Sequence, residues 1–218
     1  MYKSILHLSL PIFIGQIALM ANGVIDTVMA GQISAVDQAA VGIGMSVFFS
    51  VFIPLMGVLL AVPPIVAQHF GARDNAAIGE DMRQGFWLTL ILAPIVFLLL
   101  YFPEPFLYIS QLSPEVEAKT RAYLQWTAWG SIAQFFFRLF YGFTTAISQP
   151  RIVMLLSVFA LALKIPLNFV FMHGHFGFSA MGGVGSAVAT TVAVWVTVFI
   201  AAFIVWWNPD YKRFGIFT

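Results

Sequence analysis

Apolar residues fill this chain in long uninterrupted blocks, not in short alternations. No Lys, Arg, Asp or Glu occurs within residues 7–25, 38–72, 86–102 or 186–207. A helix that crosses a bilayer needs about 20 mostly apolar residues, and several blocks approach or exceed that length. Six spanning helices are predicted, over 7–31, 38–67, 79–102, 117–144, 151–172 and 183–207. A transmembrane barrel would instead show segments of about ten residues with alternating polarity. Runs such as Leu90–Phe102 do not alternate. In lipid only helices and closed barrels satisfy every backbone group, so the pattern selects helices. The second block is too long for one straight crossing: a 35-residue helix would reach about 52 Å, against a hydrocarbon core of about 30 Å. Pro54, Pro63 and Pro64 are expected to bend or end it.

Polar breaks separate the spans: Gly31–Asp37, Phe70–Glu80, Phe102–Glu117, Ser148–Arg151 and His173–Gly183. They also carry the charge bias. One side holds Lys3, Arg73, Arg83, Arg151, Lys212 and Arg213, and the other holds Lys119 and Arg121. Six against two places the first side in the cytoplasm, with both termini there. An even number of spans requires the same.

Composition narrows the function classes. The chain is 61% hydrophobic and 9% charged, and its net charge is +1. Soluble domains carry about 25% charged residues. The balance gives no electrostatic case for nucleic acid. There is no cysteine, which excludes disulfides, thiolate metal sites and cysteine nucleophiles. His173 and His175 could share a metal only if a third ligand came from elsewhere, so a solvated loop is the reading, with no metal site. No His-Glu-x-x-His, Gly-x-Ser-x-Gly or phosphate-binding glycine motif occurs, and an enzyme is not expected. No cofactor is implied. The small residues Gly42 and Gly44, and Gly182 to Ala189, read as helix-packing positions.

Asp26, Lys164 and Arg138 fall inside predicted spans. A charge at the bilayer centre costs roughly 2.5–3.5 kcal/mol on insertion scales, so each normally faces a partner or a cavity. Asp26 lies about 7–8 Å inside the extracytoplasmic end of the first span. A carboxylate there can exchange a proton, or bind a monovalent cation with help from neutral oxygens. Lys164 and Asn168 share one face of the fifth span, with Pro166 between them. Asn168 is level with Asp26, and Lys164 is one turn deeper. Its stem leans towards the helix N-terminus, so a direct pair with Asp26 and a snorkelling ammonium both stay open. Arg138, near the cytoplasmic end of the fourth span, reads as a structural charge that caps carbonyls or reaches headgroups.

Several motifs resemble one family in combination. They are Leu8-Ser-Leu-Pro11, Val24-Ile-Asp-Thr-Val-Met-Ala-Gly31, Ala67-Gln-His-Phe-Gly71, Ile165-Pro-Leu-Asn168, Gly182-Gly-Val-Gly185 and Ala187-Val-Ala-Thr190. Their order and spacing are similar to the multidrug and toxic compound extrusion (MATE) family, in its bacterial NorM-like branch. The resemblance implies an all-α integral membrane protein whose six transmembrane helices, residues 1–207, form the N-terminal lobe of a two-lobe transporter. Residues 208–218 would begin the cytoplasmic inter-lobe linker. It implies export of cationic amphipathic drugs in exchange for Na⁺ or H⁺, across the inner (plasma) membrane of a bacterium. It assigns the coupling site to Asp26, Asn168 and Thr190. Two departures stand out. The family usually has Asn where this chain has Lys164, whose ammonium would compete with a bound cation. The second lobe is also absent, so a C-terminal six-helix half or a second copy would be the partner, besides membrane lipid. A non-transporting scaffold and a lipid or glycolipid flippase half are the alternatives. The flippase would need a more basic cleft.

The charge count makes a direct forecast of topology. Reporter fusions after Ala35, Pro105 and Gly177 should read as extracytoplasmic, and those after Asn75 and Gly215 as cytoplasmic. The reversed pattern would overturn the assignment.

Overall fold

The computed structural model describes residues 2–216, with the side chains of 9–209 and 211–216. The side chains of Lys3 and Leu8, used above, and residues 217–218 lie outside the described residues. Nine helices are present among them: α1 (Tyr2–Ile33), α2 (Ala35–Leu59), α3 (Val62–Ala72), α4 (Asn75–Tyr101), α5 (Glu104–Ser110), α6 (Pro114–Ala146), α7 (Pro150–His173), α8 (Val184–Trp207) and α9 (Pro209–Lys212). Six are long. Five apolar segments have the length and hydropathy to cross a membrane: Ser9–Ile33, Ala35–Ala72, Asn75–Tyr101, Pro150–His173 and Val184–Trp207.

The sixth long helix, α6, falls short on hydropathy because it lies inside. It packs against α2, α3, α4, α7 and α8. Its buried residues include Thr120, Thr127, Ser131 and Thr144. Their hydroxyls donate to carbonyls of their own helix at 2.7–2.9 Å, which removes the cost of burying them. Phe135, Leu124 and Ala128 of α6 meet Phe48 and Phe52 of α2 and Val96 and Leu100 of α4 in the largest apolar cluster.

The long second block divides at Leu60–Ala61, and Pro63 and Pro64 open α3. Proline suits the first turn of a helix, whose N–H groups have no intrahelical acceptor. Pro54 and Pro166 sit inside helices that continue through them. The break at Phe102–Glu117 contains α5, which buries Leu107 and leaves Tyr108 and Ile109 exposed. Seven residues are too few to show a helical period in the sequence.

The helix ends form two faces. The far face holds the starts of α2, α6 and α8, and Asp37 joins all three. Ser34 is the N-cap of α2 and receives the Asp37 N–H at 3.0 Å, while its hydroxyl donates to Asp37 Oδ2 at 2.6 Å. Lys119 Nζ of α6 donates to the same oxygen at 2.9 Å. The Gly183 N–H, at the N-cap of α8, donates to Oδ1 at 2.8 Å. The near face holds the start of α1 and the end of α8. There the chain after α8 folds back: Tyr211 and Phe214 are 1–2% exposed and pack on Val66, Ile78 and Phe143. Tyr211 Oη donates to Gln149 Oε1 at 2.7 Å, and Arg83 Nη1 donates to the Gly215 carbonyl at 2.9 Å.

Removing Asp37 would leave a backbone N–H and an ammonium without their acceptor. Asp37→Ala should lower stability by about 3 kcal/mol. Lys119→Met should cost less, because that side chain is 32% exposed. Unfolding of the purified variants in detergent measures both, and an unchanged Tm for Asp37→Ala would mean that the Asp37 junction does not stabilise the bundle.

Candidate functional site

The site begins with the packing of α1 on α7. Both helices start at the near face, so they run parallel. Lys164 Nζ donates to the Asn22 carbonyl at 3.2 Å, and Asn168 Nδ2 donates to Asp26 Oδ1 at 2.8 Å. Each of these pairs is 142 residues apart in the chain, so the two helices are in register. Gly15 extends the register towards the near face: a Cβ there would stand 3.6 Å from Met154 Cα and 3.9 Å from Ser157 Oγ. The steps of seven and four residues between these levels return each helix to one stripe, as packing of neighbouring helices requires.

Asp26, Lys164 and Asn168 form one buried cluster. Asp26 and Lys164 are each 2% exposed, and Asn168 is fully buried. Lys164 Nζ donates to Asp26 Oδ2 at 2.7 Å. The structure thus places the ammonium across the helix pair and not down towards the near face. With 2% exposure there is no water for it to snorkel to, and the carboxylate lies within reach. Breaking a buried pair by removing one member costs about 3–5 kcal/mol, which makes the extended lysine conformation the cheaper one. Asn168 spends its amide N–H₂ on Asp26 and on Met29 Sδ, at 3.6 Å. Its Oδ1 has no partner among the described residues.

Asp26 and Lys164 form part of the wall of a cavity of about 190 Å³ between α1, α2, α6, α7 and α8, and Asn168 stands behind them. Thr190 lines the same cavity, but its hydroxyl donates to the Ser186 carbonyl at 2.8 Å, so only its lone pairs face outward. Arg138 also lines it, with its guanidinium 5.9 Å above the Tyr141 ring. Tyr123 is a wall residue that sequence reasoning missed. It fills the space left by Gly44, where a Cβ would overlap its ring. A glycine and an aromatic on two different helices leave no local sequence signal of their contact. His173 and His175 lie apart from the cluster and stack near Phe169, with ring centroids at 5.0 and 4.5 Å. No group of three or more potential metal ligands occurs among the described residues.

Chemically, Asp26 and Lys164 are a neutral pair in the wall of this cavity, backed by a buried amide whose oxygen is spare. It can hold a proton on Asp26 only by weakening the Lys164 contact. It can admit another cation only by displacing the ammonium.

Comparison with known proteins adds the relatives. The MatE family model matches residues 11–170. The probable multidrug resistance protein NorM of Aromatoleum aromaticum is 38% identical over 212 residues, which is 97% of this chain and 46% of that protein. The multidrug resistance protein MdtK of Yersinia pestis is 35% identical over 195 residues, 89% of this chain and 43% of that protein. The chain spans about half the length of the curated relatives it matches. An outward-facing multidrug resistance MATE family transporter superposes with a TM-score of 0.85 at 22% identity, covering 99% of this chain and 47% of that one. The bent form of the Vibrio cholerae MATE transporter VcmN gives 0.80 at 20% identity, over 97% and 47%. At these identities the two structures establish the fold.

A double-mutant cycle isolates the pair. Lys164→Met should destabilise the purified chain by about 3–5 kcal/mol, and adding Asp26→Asn to it should recover much of that loss. Additive losses, measured by unfolding in detergent, would mean that the two charges do not interact.

Proposed function

The chain belongs to the MatE family, and from that premise we propose that it forms the N-terminal six-helix lobe of a multidrug efflux antiporter, with Asp26 as its coupling carboxylate. The observation that carries the reading is the buried Asp26–Lys164 pair in the wall of a cavity, with Asn168 bonded to the same carboxylate. Ionisable groups at membrane depth mark ion or proton pathways. The relatives are named for multidrug resistance, and the family resemblance implies the finer class, cationic amphipathic molecules exported in exchange for a cation.

Lys164 favours the proton as that cation. Its ammonium takes the position beside Asp26 that a Na⁺ would need. Two unit charges about 4 Å apart repel by about 4 kcal/mol at an effective dielectric constant near 20. A proton meets no such obstacle, because it adds to the carboxylate itself. Neutralising Asp26 would free the ammonium and loosen the α1–α7 register that the pair holds. Thr190 and the spare oxygen of Asn168 would then solvate the released charge.

Transport needs a second bundle moving against this one around a shared site. The outer face of α1 supports such a partner. Leu10, Phe13, Ile17, Met20, Val24 and Val28 are each more than half exposed and recur every three or four residues. That spacing forms one continuous apolar stripe. A C-terminal six-helix half or a second copy of the chain would complete the transporter.

The test is ethidium efflux from proteoliposomes that contain the chain and a C-terminal half. Efflux should follow a proton gradient and ignore a Na⁺ gradient, and Asp26→Asn should abolish it. Lys164→Asn should make it respond to Na⁺. Full coupled efflux by Asp26→Asn would remove Asp26 from the mechanism, and Na⁺-driven efflux with Lys164 intact would refute the proton assignment.

A further inference from the structure

The cavity that Asp26 and Lys164 share has a second end, and its electrostatics differ. The charged residues of the wall are Asp26, Lys164 and Arg138. The first two cancel, at 2.7 Å. Arg138 is left over. It stands eight residues from the end of α6, about 12 Å along the helix. Its guanidinium has no acceptor among the described residues, and its one recorded contact is the Tyr141 ring face at 5.9 Å. An arginine within a helix bundle normally pairs with an acidic side chain or with backbone carbonyls. Here it does neither.

Two more donors surround the same space. Gln134 lies one turn from Arg138 on the same face of α6, lines the cavity, and makes no hydrogen bond with the described residues. Ser157 of α7 is fully buried and lines the cavity, and its Oγ is one of two buried side-chain atoms left without a partner among the described residues. Thr197, across the cavity on α8, has spent its proton on the Ala193 carbonyl at 2.7 Å. A buried hydroxyl without a partner calls for an explanation, and here it shares one space with two half-buried donors, Arg138 and Gln134, that have no acceptor among the described residues. Guanidinium, amide N–H₂ and hydroxyl can all donate, and no carboxylate stands at this end to receive them.

We propose that the Arg138–Gln134–Ser157 end of the cavity is a binding site for a small monovalent anion. The volume limits the guest. Drug-sized ligands occupy about 300–1,000 Å³. A cavity of about 190 Å³ holds a halide with a few waters, or a single carboxylate group, and not a drug. Net charge points the same way: a bound anion brings the cavity from +1 to neutral. The site also has a link to the other end. A proton on Asp26 would leave Lys164 uncompensated, and the anion would be held more firmly by two cations than by one. The proposal stands on the charge and donor inventory of the cavity, and drug transport is not among its premises.

The test is unfolding of the purified 218-residue chain in detergent, followed by tryptophan fluorescence, with gluconate replaced by chloride, bromide or acetate at constant ionic strength and constant Na⁺. Chloride or bromide should raise Tm saturably by about 2–4 °C, since a ligand bound only to the folded state stabilises it. An equal rise with acetate would identify the carboxylate of a larger guest as an acceptable source of the anion, and a rise with halides alone would identify a free inorganic ion. Arg138→Gln should lose the rise, and Ser157→Ala should weaken it several-fold in apparent affinity. Should Arg138→Gln fail to fold, Arg138→Lys and Gln134→Leu provide the comparison, each expected to weaken the response. A Tm that is the same in all four anions, or an anion response that persists unchanged in Arg138→Gln, would overturn the proposal. Efflux is not measured, so this result is independent of the antiporter reading.

Discussion

A charge taken out of water into hydrocarbon has to find a partner or a wet space, and the α1–α7 pair is organised around that requirement. Lys164 and Asp26 satisfy each other at 2.7 Å, and Asn168 ties the second carboxylate oxygen to the same helix. Because the two helices run parallel, one offset along the chain brings Gly15 to Ser157, Asn22 to Lys164 and Asp26 to Asn168. Polar side chains therefore set the register, and the apolar residues around them fill what that register leaves. Van der Waals packing in lipid gives little preference among registers, since lipid tails are as apolar as the helix faces. A buried hydrogen-bonded pair discriminates much more sharply.

The same requirement acts at the helix ends. Asp37 receives a hydroxyl, an ammonium and a backbone N–H from three elements, which locates the starts of α2, α6 and α8 relative to one another. In the middle of the bundle the polar residues of α6 turn their hydroxyls back onto their own helix. The most polar of the long helices can therefore occupy the most enclosed position.

Much of this was legible in the chain. The long charge-free runs give the helices, and the Asp26, Lys164 and Asn168 positions stand out because polar groups in such runs are costly. The motifs around them gave the family, which the match to residues 11–170 bears out. Other features depend on which helices meet, and a single sequence does not carry that. Asp37 reads as part of a polar turn, yet it is 2% exposed, because α6 and the α7–α8 loop close over it. Tyr123 and Gly44 sit on separate helices and signal nothing until those helices touch. The direction of the Lys164 stem was open because helix geometry alone favours the near face, and the carboxylate one turn outward reverses that preference. The α5 helix is too short for periodicity to reveal.

The segment after α8 does not leave the bundle from the end of that helix. It crosses the near face and is held there by Tyr211, Phe214 and the Arg83–Gly215 contact. Gly79 makes this possible, since any side chain there would collide with the Phe214 carbonyl. Any polypeptide continuing from this point starts from an anchored origin beneath α4, not from a free helix end. The effective concentration of a tethered module depends on the length of slack between its attachment points. Clamping the first residues of a tether removes slack and aims its departure. The near face is thus a mooring as well as a surface, and it would set the direction from which any attached module approaches this bundle.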